Sequence, residues 1–148
     1  MNGREASVER LMEMYREISD KMTSHRVVSF LSHLRKNDLT MNQYKILSLI
    51  EQQGPLLPNR LAEHMELKAA TITYLVDALG QRGLVVRTPN PSDGRSHYVN
   101  LTAEGRQLVL DARSEGDYAV MESFKQLDED EADNLYILLR LLGKKLFP

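Results

Sequence analysis

Between residues 5 and 36 the apolar positions Val8, Leu11, Met12, Tyr15, Ile18 and Met22 recur at helical spacing, and Val27, Phe30, Leu31 and Leu34 continue the series with charges between them. The pattern predicts one long amphipathic helix, with Thr23 and Ser24 marking a candidate bend. Thr40 followed by Gln43 has the form of a capping box, and Tyr44, Leu47 and Ile50 give the inward side of a helix that stops before Gly54. Gly54 and Pro55 break the chain. Pro58 then suits the first position of a short helix carrying Leu61, Ala62 and Met65 inward. After a turn through Glu66 and Leu67, the stripe Ile72, Leu75, Val76 and Leu79 predicts a second helix, with Gly83 as its stop.

Period two replaces the helical period next. LVVRTP reads as a strand, NPSDG as a turn-rich loop, and SHYVNLT as a strand with Tyr98, Asn100 and Thr102 opposite His97, Val99 and Leu101. A hairpin directly after a tight helix pair predicts a winged helix-turn-helix. Helical pattern resumes over 102–124 with Thr102 as cap. A last helix opens at Asp128 and Glu131 in capping-box spacing, with Lys144 and Lys145 at its C-terminal end. The fold class is therefore mainly α with a small β-hairpin wing. Three segments follow in one compact chain: an N-terminal helix over 1–39, the winged helix-turn-helix over 40–101, and C-terminal helices over 102–148.

The terminal segments carry more apolar surface than one face requires. Leu135, Leu138, Leu139, Leu142, Leu146 and Phe147 wrap around the final helix. Either the two ends pack on each other within one subunit, or they interlock with those of a second copy; the second is favoured because such a helix needs partners on more than one side.

Composition narrows the function. At 148 residues and 42% hydrophobic content the chain suits one ordinary core, and a net charge of −2 gives no global pull toward nucleic acid or membrane. The acidity is concentrated in 102–148, with ten acidic against six basic residues. Cysteine is absent, so there is no thiolate nucleophile or disulfide frame. The charged N-terminal stretch lacks a signal-peptide core and no window reaches ~18 consecutive apolar residues, so a cytoplasmic protein without membrane contact is expected.

Taken together in order, LTMNQYKILSLI, NRLAEHM, TITYLVDALGQRGLVVR, NPSDGR and VNLTAEG resemble the MarR family of winged-helix transcriptional regulators. The specific features are Gly-Leu-Val-x-Arg at 83–87, Asp-x-Arg at 93–95 and Leu-Thr-x-x-Gly at 101–105. The resemblance implies a homodimer built from the terminal helices that binds a pseudo-palindromic operator on double-stranded DNA and represses transcription. It also implies release of DNA by a small aromatic or anionic effector. Two positions depart from the family: Tyr74 stands where arginine is common, and Lys68 where a Ser or Asp cap is usual.

A recognition helix enters the major groove by its N-terminal part. The face opposite the apolar stripe carries Ala70, Tyr74, Asp77 and Gln81, flanked by Thr71 and Thr73, with Lys68 placed to meet phosphate. Tyr74 either reaches the groove or packs half-buried against the neighbouring helix. Arg95 is expected to enter a narrow minor groove, with Asp93 holding its guanidinium; the alternative is a solvated ion pair of little energetic value. Arg87 either braces the hairpin or contacts phosphate. A dimer with these few cations would neutralise ~4 to 8 phosphates, on half-sites ~10 to 11 base pairs apart.

Other functions have less support. No catalytic spacing is present, so no enzyme, cofactor or metal site is expected. A metal-responsive regulator is the first alternative, since His25 and His33 lie eight apart on one helix, with His64 and His97 elsewhere; such scattered histidines are more often surface residues. A winged-helix module that binds protein instead of DNA is the second. For an effector, Tyr15, His25, Phe30 and Tyr44 are the candidate lining residues, although core packing accounts equally well for the apolar ones.

Overall fold

A computed structural model describes residues 3–147. Their elements are α1 (Gly3–Lys36), α2 (Met41–Gln53), α3 (Pro58–Met65), α4 (Ala69–Gln81), β1 (Val85–Asn90), β2 (Asp93–Leu101), α5 (Ala103–Phe124) and α6 (Glu129–Leu146). They divide into two compact units, Val27–Glu115 and the pair Met1–Arg26 with Gly116–Pro148. α1 and α5 each contribute residues to both units. α1 is uninterrupted at Thr23 and Ser24.

In the unit Val27–Glu115 the predicted stripes converge. Ile46, Leu47 and Ile50 of α2, Leu61 of α3, and Ile72, Val76 and Leu79 of α4 are buried together with Leu84, Val85 and Val99 of the hairpin region and Val109 of α5. Each such aliphatic side chain contributes about 1.5–3 kcal/mol by leaving water. Local signals set the helix ends. Thr40 Oγ1 accepts a hydrogen bond from the Gln43 N–H, and the Thr40 N–H donates to Gln43 Oε1, a cap whose loss costs about 1 kcal/mol. Pro58 opens α3, and Glu66 in the left-handed region (φ 54°) turns the chain into α4.

The hairpin is antiparallel, with Val85 paired to Leu101, Arg87 to Val99 and Pro89 to His97. The strands continue beyond the expected loop: Asn90 pairs with Asp93, leaving Pro91 and Ser92 as the tip. Residues 94–96 fall between the last two pairs as an irregularity in β2. Side chains replace the missing ladder there. Asn90 Oδ1 accepts from the Ser92 N–H at 3.0 Å, and Asn90 Nδ2 donates to Ser96 Oγ at 2.9 Å. At the inner end, Leu56 and Val99 exchange backbone hydrogen bonds, tying the α2–α3 connection to β2.

The junction between β2 and α5 explains two sequence motifs at once. Gly83 takes a φ of 70°, open to glycine at no steric cost. Thr102 Oγ1 donates to the Gly83 carbonyl at 2.6 Å and accepts from the Gly105 N–H at 3.1 Å. Gly105 lies so close to the Leu84 carbonyl that a Cβ has no room. Gly-Leu at 83–84 and Leu-Thr-x-x-Gly at 101–105 are therefore two halves of one contact.

In the other unit, Arg26 pairs with Asp117 at 2.6 Å, and Asp128 and Glu131 form the predicted capping box of α6. Its apolar side chains are largely uncovered. Leu11, Tyr15 and Ile18 of α1, Tyr118, Met121 and Phe124 of α5, and Leu138, Leu139 and Leu142 of α6 are all exposed, and no α6 residue is buried.

Candidate nucleic-acid interface

The outer face of α4 is set by its inner one. With Ile72, Leu75, Val76 and Leu79 in the core, Ala70, Thr71, Thr73, Tyr74, Asp77 and Gln81 are left exposed. Tyr74 is 73% exposed, so its ring is not packed against the neighbouring helix. Lys68 is the N-cap in extended conformation and makes no side-chain cap bond, leaving the first N–H groups of α4 without that partner. The Thr73 hydroxyl donates back to the Ala69 carbonyl at 3.0 Å.

The Arg87 guanidinium donates to Asp77 Oδ1 at 2.6 Å, linking β1 to α4. Both groups are about half-exposed, so the pair fixes geometry more than it adds stability. Asp77 cannot be read from spacing as this partner, since the ten-residue separation crosses a helix end and a turn.

Asp93 acts differently from the expectation. Its carboxylate accepts from the backbone N–H of Arg95 at 3.0 Å, an Asx turn, and its carbonyl accepts from Ser96 Oγ at 3.2 Å. Among the described residues, the Arg95 guanidinium has neither an ion-pair nor a hydrogen-bond partner. The tight tip accounts for the change: Asp93 closes the irregular backbone, and the arginine side chain is left facing outward. A cleft of about 480 Å³ beside it is lined by Pro58 and Asn59 at the start of α3 and by Arg87, Arg95 and His97 of the hairpin. Arg82 is a residue the sequence did not single out. Its guanidinium donates to the Asn37 and Asp38 carbonyls at 2.6 and 2.7 Å, joining the end of α4 to the α1–α2 turn.

The remaining candidates separate. Phe30 and Tyr44 meet edge to face, with ring centroids 4.7 Å apart, and pack against the core. Tyr15 and His25 are exposed and belong to the other unit. His33, expected at the surface, is 1% exposed, with Nδ1 3.2 Å from Glu115 Oε1 and the Asn37 amide beside its other nitrogen. Its place in the apolar series of α1 turns it inward, and the carboxylate on α5 compensates its burial. No group of three metal-binding side chains occurs among the described residues.

A helix pair with a bare second helix, followed by a hairpin bearing an outward arginine, defines a winged helix-turn-helix protein. Residues 39–97 match the MarR family model. The multiple antibiotic resistance protein MarR of Salmonella typhimurium is 30% identical over 140 residues, covering 94% of this chain and 90% of that protein. The transcriptional regulator Tm0710 of Thermotoga maritima shares the fold at TM-score 0.74, with 22% identity over 93% of this chain and 94% of that one. An S. aureus MepR mutant bound to an oligodeoxyribonucleotide matches at TM-score 0.65 and 25% identity, covering 92% of this chain and 97% of that one. The chain belongs to the MarR family and is a helix-turn-helix transcriptional regulator. No helix among the described residues is long and apolar enough to cross a membrane.

Proposed function

We propose that the protein is a cytoplasmic repressor that binds a pseudo-palindromic operator as a homodimer and responds to a small aromatic or anionic effector. α4 enters the major groove, where Ala70, Thr71, Thr73 and Tyr74 meet base edges and Lys68 meets phosphate. Arg95 enters the flanking minor groove, carried on the tip that Asp93 closes. Arg87 acts from the hairpin as the brace on Asp77. The terminal helices over 1–39 and 102–148 form the dimer interface, and Phe30 and Tyr44, which meet within one unit, are the effector candidates there, Tyr15 and His25 being candidates of the other unit.

One observation carries this reading. A single compact unit presents both an uncovered α4 face and an arginine whose guanidinium has no protein partner among the described residues. A cation so placed in isolation is only solvated; beside a groove-sized helix it supplies the contact that phosphate-lined DNA requires. The many exposed large apolar side chains of α1, α5 and α6 support pairing with a second copy, since exposed apolar surface of this kind marks association sites. Selection of genomic fragments by the purified protein, followed by anisotropy titration of the recovered site, is the test. Arg95→Ala is expected to weaken binding about tenfold or more with the dimer intact by light scattering. Wild-type affinity in that variant removes the wing from the interface, and recovery of no fragment removes DNA binding. A thermal-shift screen of small aromatic acids tests the effector: stabilisation together with release of the site supports it, and no shift with any acid overturns that class.

A further inference from the structure

The outer face of α4 has a chemical deficit. Ala69–Gln81 contains no lysine or arginine. In the major groove, guanine is read chiefly by a cationic side chain on O6 and N7, adenine by a carboxamide, cytosine by a carboxylate, and thymine by apolar contact with its methyl group. Each exposed group of α4 can be set against that code. Ala70 and Thr71 present methyl groups in the first turn. Thr73 has its hydroxyl proton committed to the Ala69 carbonyl, which leaves its methyl and a lone pair outward. Asp77 has Oδ1 occupied by Arg87, which at the same time holds that arginine back at the hairpin. Gln81 ends the helix, seven residues or about 10 Å beyond Tyr74 along the axis, away from the entering end.

Lys68 precedes the first turn at the N-cap, where a compact ammonium charge serves phosphate rather than the two-point geometry of a guanine edge. Tyr74 is then the one long side chain projecting from the entering half of the helix, with a ring for apolar contact and one hydroxyl.

We propose that the bases facing α4 in each half-site are thymine-rich and are selected through their methyl groups by Ala70, Thr71, Thr73 and the Tyr74 ring, with no guanine held through N7. This rests on the assignment of α4 as the groove helix. The wing points the same way, because the narrow minor groove that attracts Arg95 is a property of A·T tracts.

The test uses the full-length protein and a duplex recovered from genomic selection. Thymidines are replaced singly by deoxyuridine, which removes only the methyl group, and guanines singly by 7-deazaguanine, which removes only N7. Loss of about fourfold in affinity is expected for each methyl that meets α4, with under about twofold change at any half-site guanine. Tyr74 is exposed, so Tyr74→Ala is expected to fold normally by circular dichroism and to lose thymidine–deoxyuridine discrimination at one position per half-site. Lys68→Ala is expected to weaken every duplex alike. Tyr74→Arg, carried through a new selection, is expected to recover sites in which 7-deazaguanine costs fivefold or more, the range of a two-point guanine contact. The proposal is overturned if the wild-type protein loses fivefold or more on 7-deazaguanine substitution at a half-site guanine, or if deoxyuridine is neutral at every half-site thymidine. Retention of no fragment removes the groove assignment and the base preference with it; the 7-deazaguanine result removes the base preference alone.

Discussion

Gly105→Ala isolates the contact that sets the hairpin against α5. A Cβ at this position would collide with the Leu84 carbonyl oxygen and lie 3.0 Å from the Leu84 carbonyl carbon and 3.3 Å from its Cα. All three obstacles are backbone, so no rotamer change relieves them. Leu84 itself is buried, and its carbonyl accepts from the Thr102 N–H at 3.2 Å, so moving it away strains the same junction. Overpacking of this kind costs about 1–3 kcal/mol. Replacing a helical glycine by alanine returns about 0.5–1 kcal/mol in backbone entropy. The net expectation is a loss of about 1–2 kcal/mol, or roughly 3–8 °C in Tm for a chain of this size. Thermal unfolding by circular dichroism at one fixed protein concentration reads it. Gly80→Ala is the control, since a Cβ there meets nothing within 4 Å, and it is expected to hold or raise Tm. A Gly105→Ala protein as stable as the parent, with Gly80→Ala unchanged, would refute the claim that close backbone approach is what this glycine serves.

Thr102→Val removes a hydroxyl that serves Gly83 and Gly105 at once, and a loss of about 1–2 kcal/mol in denaturant unfolding is expected; a neutral variant would mean that water substitutes for both bonds. Asp77→Ala is expected to change stability by no more than about 1 kcal/mol. It removes an anion from the DNA-facing surface and frees Arg87, so affinity should rise at low salt and the log–log salt slope should steepen by about 1–2 per dimer. A fall in affinity would show that the ion pair positions the interface instead. Glu17 accepts a hydrogen bond from Lys21 at 2.6 Å, and that bond, followed by the lysine charge, holds its carboxyl below the ordinary glutamate value. The folded-state value is depressed, so whatever the pair contributes is present at neutral pH and lost as pH falls through it. NMR titration is expected to show this low midpoint, and Lys21→Ala to return it to the usual range; an unchanged midpoint in the variant would assign the shift to another cause.

Much of the fold was legible because its signals are local. The capping boxes at Thr40 and Asp128, the break at Gly54, Pro58 at the first turn of α3 and the stripe of α4 each lie within a few residues of the structure they specify. Where side chains act over long separations, the sequence was less informative. The Arg87–Asp77 brace, the Arg82 clamp on the Asn37 and Asp38 carbonyls and the His33–Glu115 contact depend on how elements come together. The wing shows the boundary between the two cases. Its breakers predict a loop, yet Asn90, Asp93 and Ser96 supply side-chain hydrogen bonds that let the strands pair almost to the tip. Asp93 meets Arg95 through the arginine's backbone N–H, not through the guanidinium that the spacing suggests. The outer face of α4 follows from the period of its inner face, whereas the choice between a groove-facing and a half-buried Tyr74 needs the structure, which leaves the ring exposed.

The paired arrangement of two groove helices is tested most directly by hydroxyl-radical footprinting of a genomic site, with the protein-to-DNA ratio fixed by sedimentation. Two protected patches about one helical turn apart, on one side of the duplex and occupied by two chains, with outer minor-groove protection that Arg95→Ala abolishes, is the expected result. A single patch bound by one chain, or protection unchanged by Arg95→Ala, would contradict it.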